Sequence, residues 1–207
     1  MRNSERVNEI IIAADAAWHR LPLHYQEAGA AWTRADPHVV AHELRRMSGR
    51  RCRFLEWGSG IGTHCLIADA LGMQAHGIEI DGRLVRSATE LAGRLDAGSV
   101  FGDGTFIPRG RECPPADEDV SELLLSGGAD GYAALAGQLG VPPDSASIAA
   151  TYDVIYAYPA PQHIDWFADL FRDLARVGAV LWCYTETAGI LTSTKTGSHT
   201  ITPLRPA

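Results

Sequence analysis

The chain has 207 residues, of which 46% are hydrophobic and 21% are charged, and its formal net charge is −7. This length suits one α/β domain with a sizeable core and is short for two. The composition is ordinary for a globular protein. The acidic balance, with Lys195 as the only lysine, disfavours a nucleic-acid backbone as partner and more weakly disfavours an anionic membrane surface.

The cysteines and the apolar segments bear on location. No two of the four cysteines are closely spaced, so neither a zinc site nor a disulfide framework is predicted; they are Cys52, Cys65, Cys113 and Cys183. No stretch is apolar for long enough to span a bilayer. We therefore predict a cytoplasmic protein without membrane contact.

Residues 1–50 are predicted to form a helical extension. Apolar side chains recur at helical spacing from Val7 to Leu21, which indicates an amphipathic helix rather than a targeting segment. A second helix is predicted to begin at Asp36-Pro37, where a capping residue precedes proline at the first helical position, and to end near Met47.

Two histidines of that second helix raise the question of a metal. His38 and His42 are four residues apart and would share one helix face, as metal-binding histidines do. Glu43 adjoins them, but the order is not the one that zinc hydrolases use. We favour a helix that packs on or caps the cleft, and we predict no metal.

From residue 51 to 207, strands and helices alternate, which predicts a doubly wound, mostly parallel Rossmann-like sheet. The predicted strands are Cys52–Trp57, Gln74–Ile80, Ser99–Phe101, Asp153–Tyr158 and Gly178–Tyr184. The predicted helices between them are Gly62–Leu71, Arg83–Leu95 and Ile164–Leu174.

Two segments depart from this alternation. Residues 108–150, between the third and fourth strands, are rich in Pro, Gly, Asp and Ser and predict an insertion or lid with helices at Glu118–Leu125 and Tyr132–Leu139. The C-terminal segments Ile190–Thr196 and His199–Leu204 predict either a hairpin on the sheet edge or a frayed tail.

The run Phe54–Gly62 is the strongest local signal, because it leaves a strand and enters a helix. Its glycines Gly58, Gly60 and Gly62 allow a tight turn and close approach of a ligand. The helix that follows would present unpaired N–H groups to a polar or anionic ligand group.

Two acids define the ligand expected there. Glu79 ends the second strand roughly 20 residues later, where dinucleotide-binding folds place the acid that bonds a ribose hydroxyl. Glu56 lies two residues before the first glycine, where a carboxylate would repel a pyrophosphate and attract a cation. The pattern therefore favours a cationic adenosine ligand over NAD.

These residues resemble the motifs of class I S-adenosylmethionine-dependent methyltransferases. Glu56–Gly62 is similar to the family's glycine motif, Glu79 to its ribose-binding acid, Gly102–Gly104 to its adenine-binding segment, and Asp153–Pro159 to its fourth motif. The resemblance implies S-adenosylmethionine as cofactor and S-adenosylhomocysteine as product. It implies cofactor contacts from Glu56, Gly58, Ser59, Gly60, Gly62, Glu79, Ile80, Asp103, Gly104 and Tyr158.

The sequence departs from the family at the end of the fourth strand. The amine-methylating branch carries Asn or Asp there, whereas this chain has Tyr158-Pro159-Ala160-Pro161. The side-chain acceptor is lost, which argues against amide or nucleobase-amine acceptors. Methyl transfer needs alignment more than a base, and we name Tyr158 and His163 as the catalytic candidates. A surface role at the helix entry is the alternative for His163, and packing against the cofactor is the alternative for Tyr158.

The sequence thus predicts a methyltransferase whose acceptor is a small molecule, or second a protein side chain, with nucleic acid least expected. Three alternatives stay open: another transfer from the same cofactor, a non-catalytic S-adenosylmethionine-binding or scaffold protein, and an NAD-dependent oxidoreductase. The short C-terminal edge of the sheet permits a homodimer without requiring one.

Overall fold

A computed structural model of the protein describes residues 2–27, 34–47, 52–111, 129–142 and 145–207. The strands of these ranges are β1 (Arg53–Trp57), β2 (Gln74–Glu79), β3 (Val100–Asp103), β4 (Val154–Ala157), β5 (Val180–Thr185), β6 (Gly189–Gly197), β7 (Thr200–Ile201) and β8 (Arg205–Pro206). The helices are α1 (Arg2–Trp18), α2 (Leu23–Glu27), α3 (Pro37–Met47), α4 (Thr63–Ala70), α5 (Gly82–Arg94), α6 (Gly131–Leu139), α7 (Ser145–Ala149) and α8 (Ile164–Leu174).

All of these strands belong to one sheet. Their order is β3-β2-β1-β4-β5-β6-β7, with β8 paired to β6. Each neighbouring pair among β1 to β5 is parallel, whereas β6 is antiparallel to β5. The chain moves outward from β1 to β3 and then returns to place β4 on the other side of β1. The predicted doubly wound, mostly parallel Rossmann-like sheet is confirmed.

The helices cover both faces of the sheet. One face carries α1, α3, α4 and α5, whose apolar side chains pack with Phe54 and Tyr156 of the strands. The other carries α6, α7 and α8, which pack with Leu55 and Ile155. Successive strand residues point to opposite faces, so alternate apolar positions of β1 and β4 supply both layers of the core.

The helical N-terminus is confirmed for α1 and α3. Val7, Ile10 and Ala14 are buried at the spacing of one helix face. Helix α3 begins at Pro37, where Asp36 caps it by accepting a hydrogen bond from the His38 N–H at 2.8 Å. Both His38 and His42 lie on the exposed side of this helix.

Helix α6 was predicted to belong to a lid, but it packs on the sheet. It lies in the segment expected to be an insertion, yet Tyr132 and Leu135 are fully buried against the sheet, and the Trp57 Nε1–H donates to the Tyr132 hydroxyl at 2.8 Å. This helix is therefore part of the crossover between β3 and β4. The predicted helix Glu118–Leu125 lies outside the described residues, so a lid there stays a prediction.

The C-terminal hairpin is confirmed, and it extends the sheet beyond β5. Strand β6 pairs with β5 from Thr185↔Gly189 to Val180↔Thr194, and β7 folds back on β6. Cys52, Cys65 and Cys183 are buried free thiols, and Cys113 lies outside the described residues.

Candidate active site

The strand order reverses between β1 and β4, and doubly wound sheets bind ligands at the carboxyl ends of the strands beside such a reversal. Because β1 to β5 run parallel, the residues that follow β1, β2, β3, β4 and β5 all meet at this one edge. The glycine loop, Glu79, Asp103 and Tyr158 therefore share one region of the molecule.

The glycine loop is anchored to β2 through its backbone. The N–H groups of Gly58 and Ser59 both donate to the Ile78 carbonyl, at 2.9 and 3.0 Å, and the Gly62 N–H donates to the Ser59 carbonyl at 2.8 Å. These bonds hold the loop across the end of β2 and direct the chain into α4.

Glycine is required in the loop for two different reasons. Gly58 and Gly60 have φ values of 74° and 54°, and a Cβ there would meet nothing within 4 Å, so their backbone borders open space. Gly62 has a φ of 76°, and a Cβ there would lie 2.4 Å from the Phe101 ring. The first two leave room for a ligand, and the third allows α4 to approach β3 closely.

Glu79 is a buried carboxylate that already binds backbone donors. Its Oε2 accepts from the Gly60 N–H at 2.8 Å, and its Oε1 accepts from the Asp81 N–H at 3.0 Å. Burial raises the pKa of Glu79, while the hydrogen bonds from these N–H groups act to lower it. Each carboxylate oxygen accepts more than one bond, so both retain capacity for a hydroxyl donor.

Asp103 lies beside Glu79 in the sheet, since the two residues are register partners of β3 and β2. Its carboxylate sits over the first turn of α5, where a Cβ on Gly82 would come within 2.9 Å of Oδ2. The Gly104 N–H donates to the Glu79 carbonyl at 2.9 Å. Ile80 follows Glu79 and is partly exposed.

Glu56 makes contacts inside the protein that the sequence did not indicate. Only 3% of it is exposed. Its Oε1 lies 2.7 Å from His64 Nδ1, and its Oε2 accepts from the Cys65 Sγ at 3.3 Å. Both partners belong to the first turn of α4, so this carboxylate links the end of β1 to the helix that follows the glycine loop.

Three buried polar atoms near this edge have no hydrogen-bond partner within the described ranges: Ser59 Oγ, His64 Nε2 and Tyr156 Oη. Ser59 belongs to the glycine loop, and the His64 and Tyr156 rings meet edge-on with centroids 5.0 Å apart. Buried polar groups are normally paired, so these unsatisfied atoms make this edge of the sheet a candidate ligand site.

The predicted catalytic residues lie in different surroundings. Tyr158 donates its hydroxyl to Glu186 Oε1 at 2.9 Å and meets Tyr184 edge-on at 4.9 Å. Burial raises the pKa of Tyr158 to about 12, with a further contribution from Glu186. Its phenol is therefore a proton donor at neutral pH rather than a base.

His163 is buried, with 8% of its surface exposed, in a single 3-10 turn (Pro161–His163) at the start of α8. The alternative of a surface histidine is wrong, because the turn after β4 folds its side chain inward. Its role in catalysis stays a prediction.

A contact from the N-terminal extension also reaches this edge. The Tyr25 hydroxyl of α2 donates to Asp81 Oδ2 at 2.6 Å, while Asp81 Oδ1 caps α5 by accepting from the Arg83 N–H at 2.8 Å. Tyr25 is 3% exposed. The extension is thus attached to the residue that lies two positions after Glu79.

No protein-family model and no curated protein matches the chain. Solved structures do match. One is an RNA methyltransferase from Salinibacter ruber in complex with S-adenosyl-L-homocysteine, 17% identical with a TM-score of 0.47, covering 72% of this chain and 76% of that one. Another is an S-adenosylmethionine-dependent methyltransferase from Thiobacillus denitrificans in complex with S-adenosyl-L-homocysteine, 14% identical with a TM-score of 0.48, covering 81% of this chain and 58% of that one.

A third structure is a precorrin-6y C5,15-methyltransferase from Geobacter metallireducens, 11% identical with a TM-score of 0.45, covering 77% of this chain and 66% of that one. The chain thus spans less than two thirds of the length of the second and third of these proteins. At such identities the likeness concerns the fold alone, and the fold assignment rests on the order and direction of the strands.

Among the described residues, no helix combines the length and the apolarity needed to cross a bilayer. The same ranges hold no group of three or more His, Cys, Asp or Glu side chains suited to a metal ion. The strand order β3-β2-β1-β4-β5, with an antiparallel strand beyond it and a glycine loop after β1, gives this chain the Rossmann-like fold of the class I S-adenosylmethionine-dependent methyltransferases that it resembles in sequence.

Proposed function

We propose that this chain binds S-adenosylmethionine at the carboxyl ends of β1 to β4 and transfers its methyl group to a small-molecule acceptor, releasing S-adenosylhomocysteine. The observation that carries the proposal is the pairing of an open glycine loop with the buried carboxylate of Glu79, which is hydrogen-bonded to that loop through Gly60.

The residues at this edge fit the cofactor's chemistry. Glu79 would accept from the two ribose hydroxyls, and Ile80, Asp103 and Gly104 would border the adenine. Gly58 and Gly60 would bring backbone close to the ligand, and Gly62 would direct the loop into α4. Ser59 Oγ is buried in this loop without a partner within the described residues. The unsatisfied hydroxyl and the absence of Cβ atoms at the cleft are both features that a bound polar ligand explains.

Charge also favours this cofactor over a dinucleotide. Glu56 is buried next to the loop and would carry its negative charge into the region of a pyrophosphate. A ligand with a sulfonium and an ammonium group is attracted instead. The contact with His64 orients the Glu56 carboxylate. We therefore expect Glu56 to act on the ligand through the electrostatic potential of its carboxylate as well as by direct contact.

The cofactor supplies an electrophilic methyl group when bound, so the protein's contribution is alignment and exclusion of water. Tyr158 would pack against the cofactor, with its hydroxyl donating to Glu186 at the acceptor side. His163 is retained as the candidate base for an acceptor that arrives protonated. A small molecule is preferred, a protein side chain is second, and nucleic acid is third because of the net charge of −7.

We further propose a cytoplasmic protein in which residues 51–207 form the catalytic domain, with residues 1–50 as a helical extension that covers the cleft. The Tyr25–Asp81 hydrogen bond supports that placement of the extension.

The first test is calorimetric titration with S-adenosylmethionine and S-adenosylhomocysteine, with NAD as the negative ligand. We expect both sulfur ligands to bind, and Glu79→Ala to weaken them by roughly 10- to 100-fold, because hydrogen bonds to a charged group contribute about 1.5–3 kcal/mol. Glu79→Gln keeps an acceptor and the side-chain volume, so it should weaken binding less.

Glu90→Ala serves as the matched control, since Glu90 is an exposed acid of α5. Thermal melting of each variant separates loss of binding from loss of folding. If neither sulfur ligand binds to folded wild-type protein, the proposed function is wrong.

A further inference from the structure

An aromatic and acidic cluster lies at the ends of β4 and β5, and we call it the tyrosine–glutamate cluster: Tyr158, Tyr184 and Glu186. The Tyr158 and Tyr184 rings meet at 77° with centroids 4.9 Å apart, and the Tyr158 hydroxyl donates to Glu186 at 2.9 Å. Tyr184 is 8% exposed, whereas Glu186 is exposed in the turn between β5 and β6.

The cluster carries the negative charge of Glu186. Glu186 forms no ion pair within the part of the chain that the structure describes. Tyr158 remains protonated because its pKa is raised to about 12, first by burial and then by Glu186. The phenol therefore occupies one Glu186 oxygen as a donor and leaves carboxylate capacity facing the solvent.

Tyr156 supplies an independent observation. Its hydroxyl is buried, has no hydrogen-bond partner among the described residues, and is 1% exposed as a whole side chain. Tyr156 is the register partner of Glu56, and its ring lies on the same face of the sheet as Tyr158 and Tyr184. An unsatisfied hydroxyl thus belongs to the strand that leads into Tyr158, next to the buried acid of β1.

The sheet order places this cluster on the acceptor side of the proposed cofactor. A ribose held by Glu79 lies at β2, and β1 separates β2 from β4. The parts of the cofactor beyond the ribose would extend across β1, since neighbouring strands are about 4.8 Å apart. An acceptor would then approach from the β4 and β5 side, where the tyrosine–glutamate cluster begins.

We propose that the tyrosine–glutamate cluster is a binding subsite for the alkylammonium group of a small-molecule acceptor. The inference rests on the proposed function for its catalytic meaning, while the cation site itself stands on the cluster. The half-buried Tyr158 ring would stabilise a cation through its π face, Tyr184 packs edge-on against that ring, and Glu186 provides the opposite charge. The segment Tyr158-Pro159-Ala160-Pro161 after β4 lacks the side-chain hydrogen-bond acceptor of the amine-methylating branch. Glu186, in the turn after β5, would supply one instead.

The reaction of such an acceptor would balance in atoms and charge. The ammonium group would release one proton to solvent water and become a neutral amine. The amine nitrogen would then bond to the methyl carbon as the sulfur–methyl bond breaks and its electron pair stays on sulfur. The products would be a methylated ammonium and a neutral thioether, and Glu186 would again balance the charge of the ammonium.

The test uses the full-length protein saturated with S-adenosylhomocysteine and ligand-observed NMR titration. The probes are phenethylammonium, its neutral counterpart 2-phenylethanol, the anion 3-phenylpropionate, and an acetylated Gly-Lys-Gly amide that represents a protein side chain. We expect phenethylammonium to bind at least ten times more tightly than the alcohol and the anion, and more tightly than the peptide.

Glu186→Gln keeps the shape of the side chain and removes its charge, so phenethylammonium affinity should fall by about ten-fold or more with unchanged S-adenosylhomocysteine affinity. Tyr184→Leu should also weaken ammonium binding, because it removes the ring that packs against Tyr158, while Glu90→Gln removes the same charge on α5 and should have no effect. Equal binding of alcohol and ammonium, binding of no probe, or full affinity in Glu186→Gln would each overturn the inference. If S-adenosylhomocysteine fails to bind but the ammonium preference persists, the proposed function fails and the cation site stands.

Discussion

Glu56 lies at the candidate site, and burying its carboxylate costs free energy of folding. A carboxylate that is 3% exposed is costly to hold in a protein interior unless hydrogen bonds compensate it. His64 Nδ1 at 2.7 Å and the Cys65 thiol at 3.3 Å supply that compensation. The site's negative charge therefore depends on two residues of α4 as well as on β1.

Replacing His64 by Ala should lower the free energy of unfolding by about 2–3 kcal/mol, because a buried charge loses its strongest hydrogen bond. His42→Ala removes the same side chain from the exposed face of α3 and should change stability by less than about 0.5 kcal/mol. Chemical denaturation of both variants measures the difference. Similar stabilities for the two variants would show that Glu56 does not depend on His64.

A second comparison belongs to the elements around the glycine loop. Gly62→Ala should destabilise the protein by about 3 kcal/mol, because alanine is strained at a φ of 76° and its Cβ would overlap the Phe101 ring. Gly93→Ala lies within α5, where a Cβ meets nothing within 4 Å, and should stabilise by about 0.5 kcal/mol.

Thermal unfolding of the two alanine variants gives shifts in Tm of opposite sign under this account. A neutral Gly62→Ala variant would mean that α4 can move away from β3 without cost. Such a result would also weaken the view that the loop geometry is fixed before ligand binding.

Elements with strong periodicity were predictable from the sequence, and elements defined by their neighbours were not. Helix α8 spans Ile164–Leu174 as predicted, because its apolar residues repeat at helical spacing throughout. Helix α6 was predicted as a helix but assigned to a lid, since its surroundings are rich in Pro and Gly. The contact of Tyr132 with Trp57, 75 residues apart, and the burial of Leu135 identify it as a core helix.

The same limit applies to the candidate site. The glycines at alternate positions after β1, and Glu79 of β2, are recognisable in the sequence, because one βαβ unit sets their spacing. The pairing of Tyr158 with Glu186 joins residues 28 positions apart through the hairpin after β5. The contact of Glu56 with His64 depends on the left-handed turn at Gly62, and a sequence pattern does not give the direction of either side chain.

At the scale of the whole molecule, His76 should make stability sensitive to acid. Burial, followed by the charge of Arg53, lowers the pKa of His76 to about 4 from an ordinary value of 6.5. Below pH 6.5 the unfolded chain therefore binds a proton that the native state lacks, so stability is lost as the pH falls from about 6.5 to about 4. The loss attributable to this residue is at most about 3 kcal/mol.

Free energies of unfolding at pH 7.5, 6.0 and 5.0 check this expectation. His76→Asn should be less stable than wild type at pH 7.5, because it changes the 2.7 Å contact with Tyr152, and the gap should narrow towards pH 5. His42→Gln should leave the profile unchanged. A constant gap across the three pH values would contradict the assignment of a depressed pKa to His76.

The turn between β5 and β6 would allow the proposed acceptor preference to diversify independently of the proposed cofactor site. Its two ends are fixed by the pairing of Thr185 with Gly189, and the Thr185 hydroxyl accepts from the Ala188 N–H at 3.1 Å. Residues 186–188 are exposed between these fixed points, so they can be exchanged with little effect on strand register. In an evolving lineage, or in a library built on this scaffold, three adjacent codons would vary the proposed acceptor subsite while β1, β2 and the glycine loop stay constant.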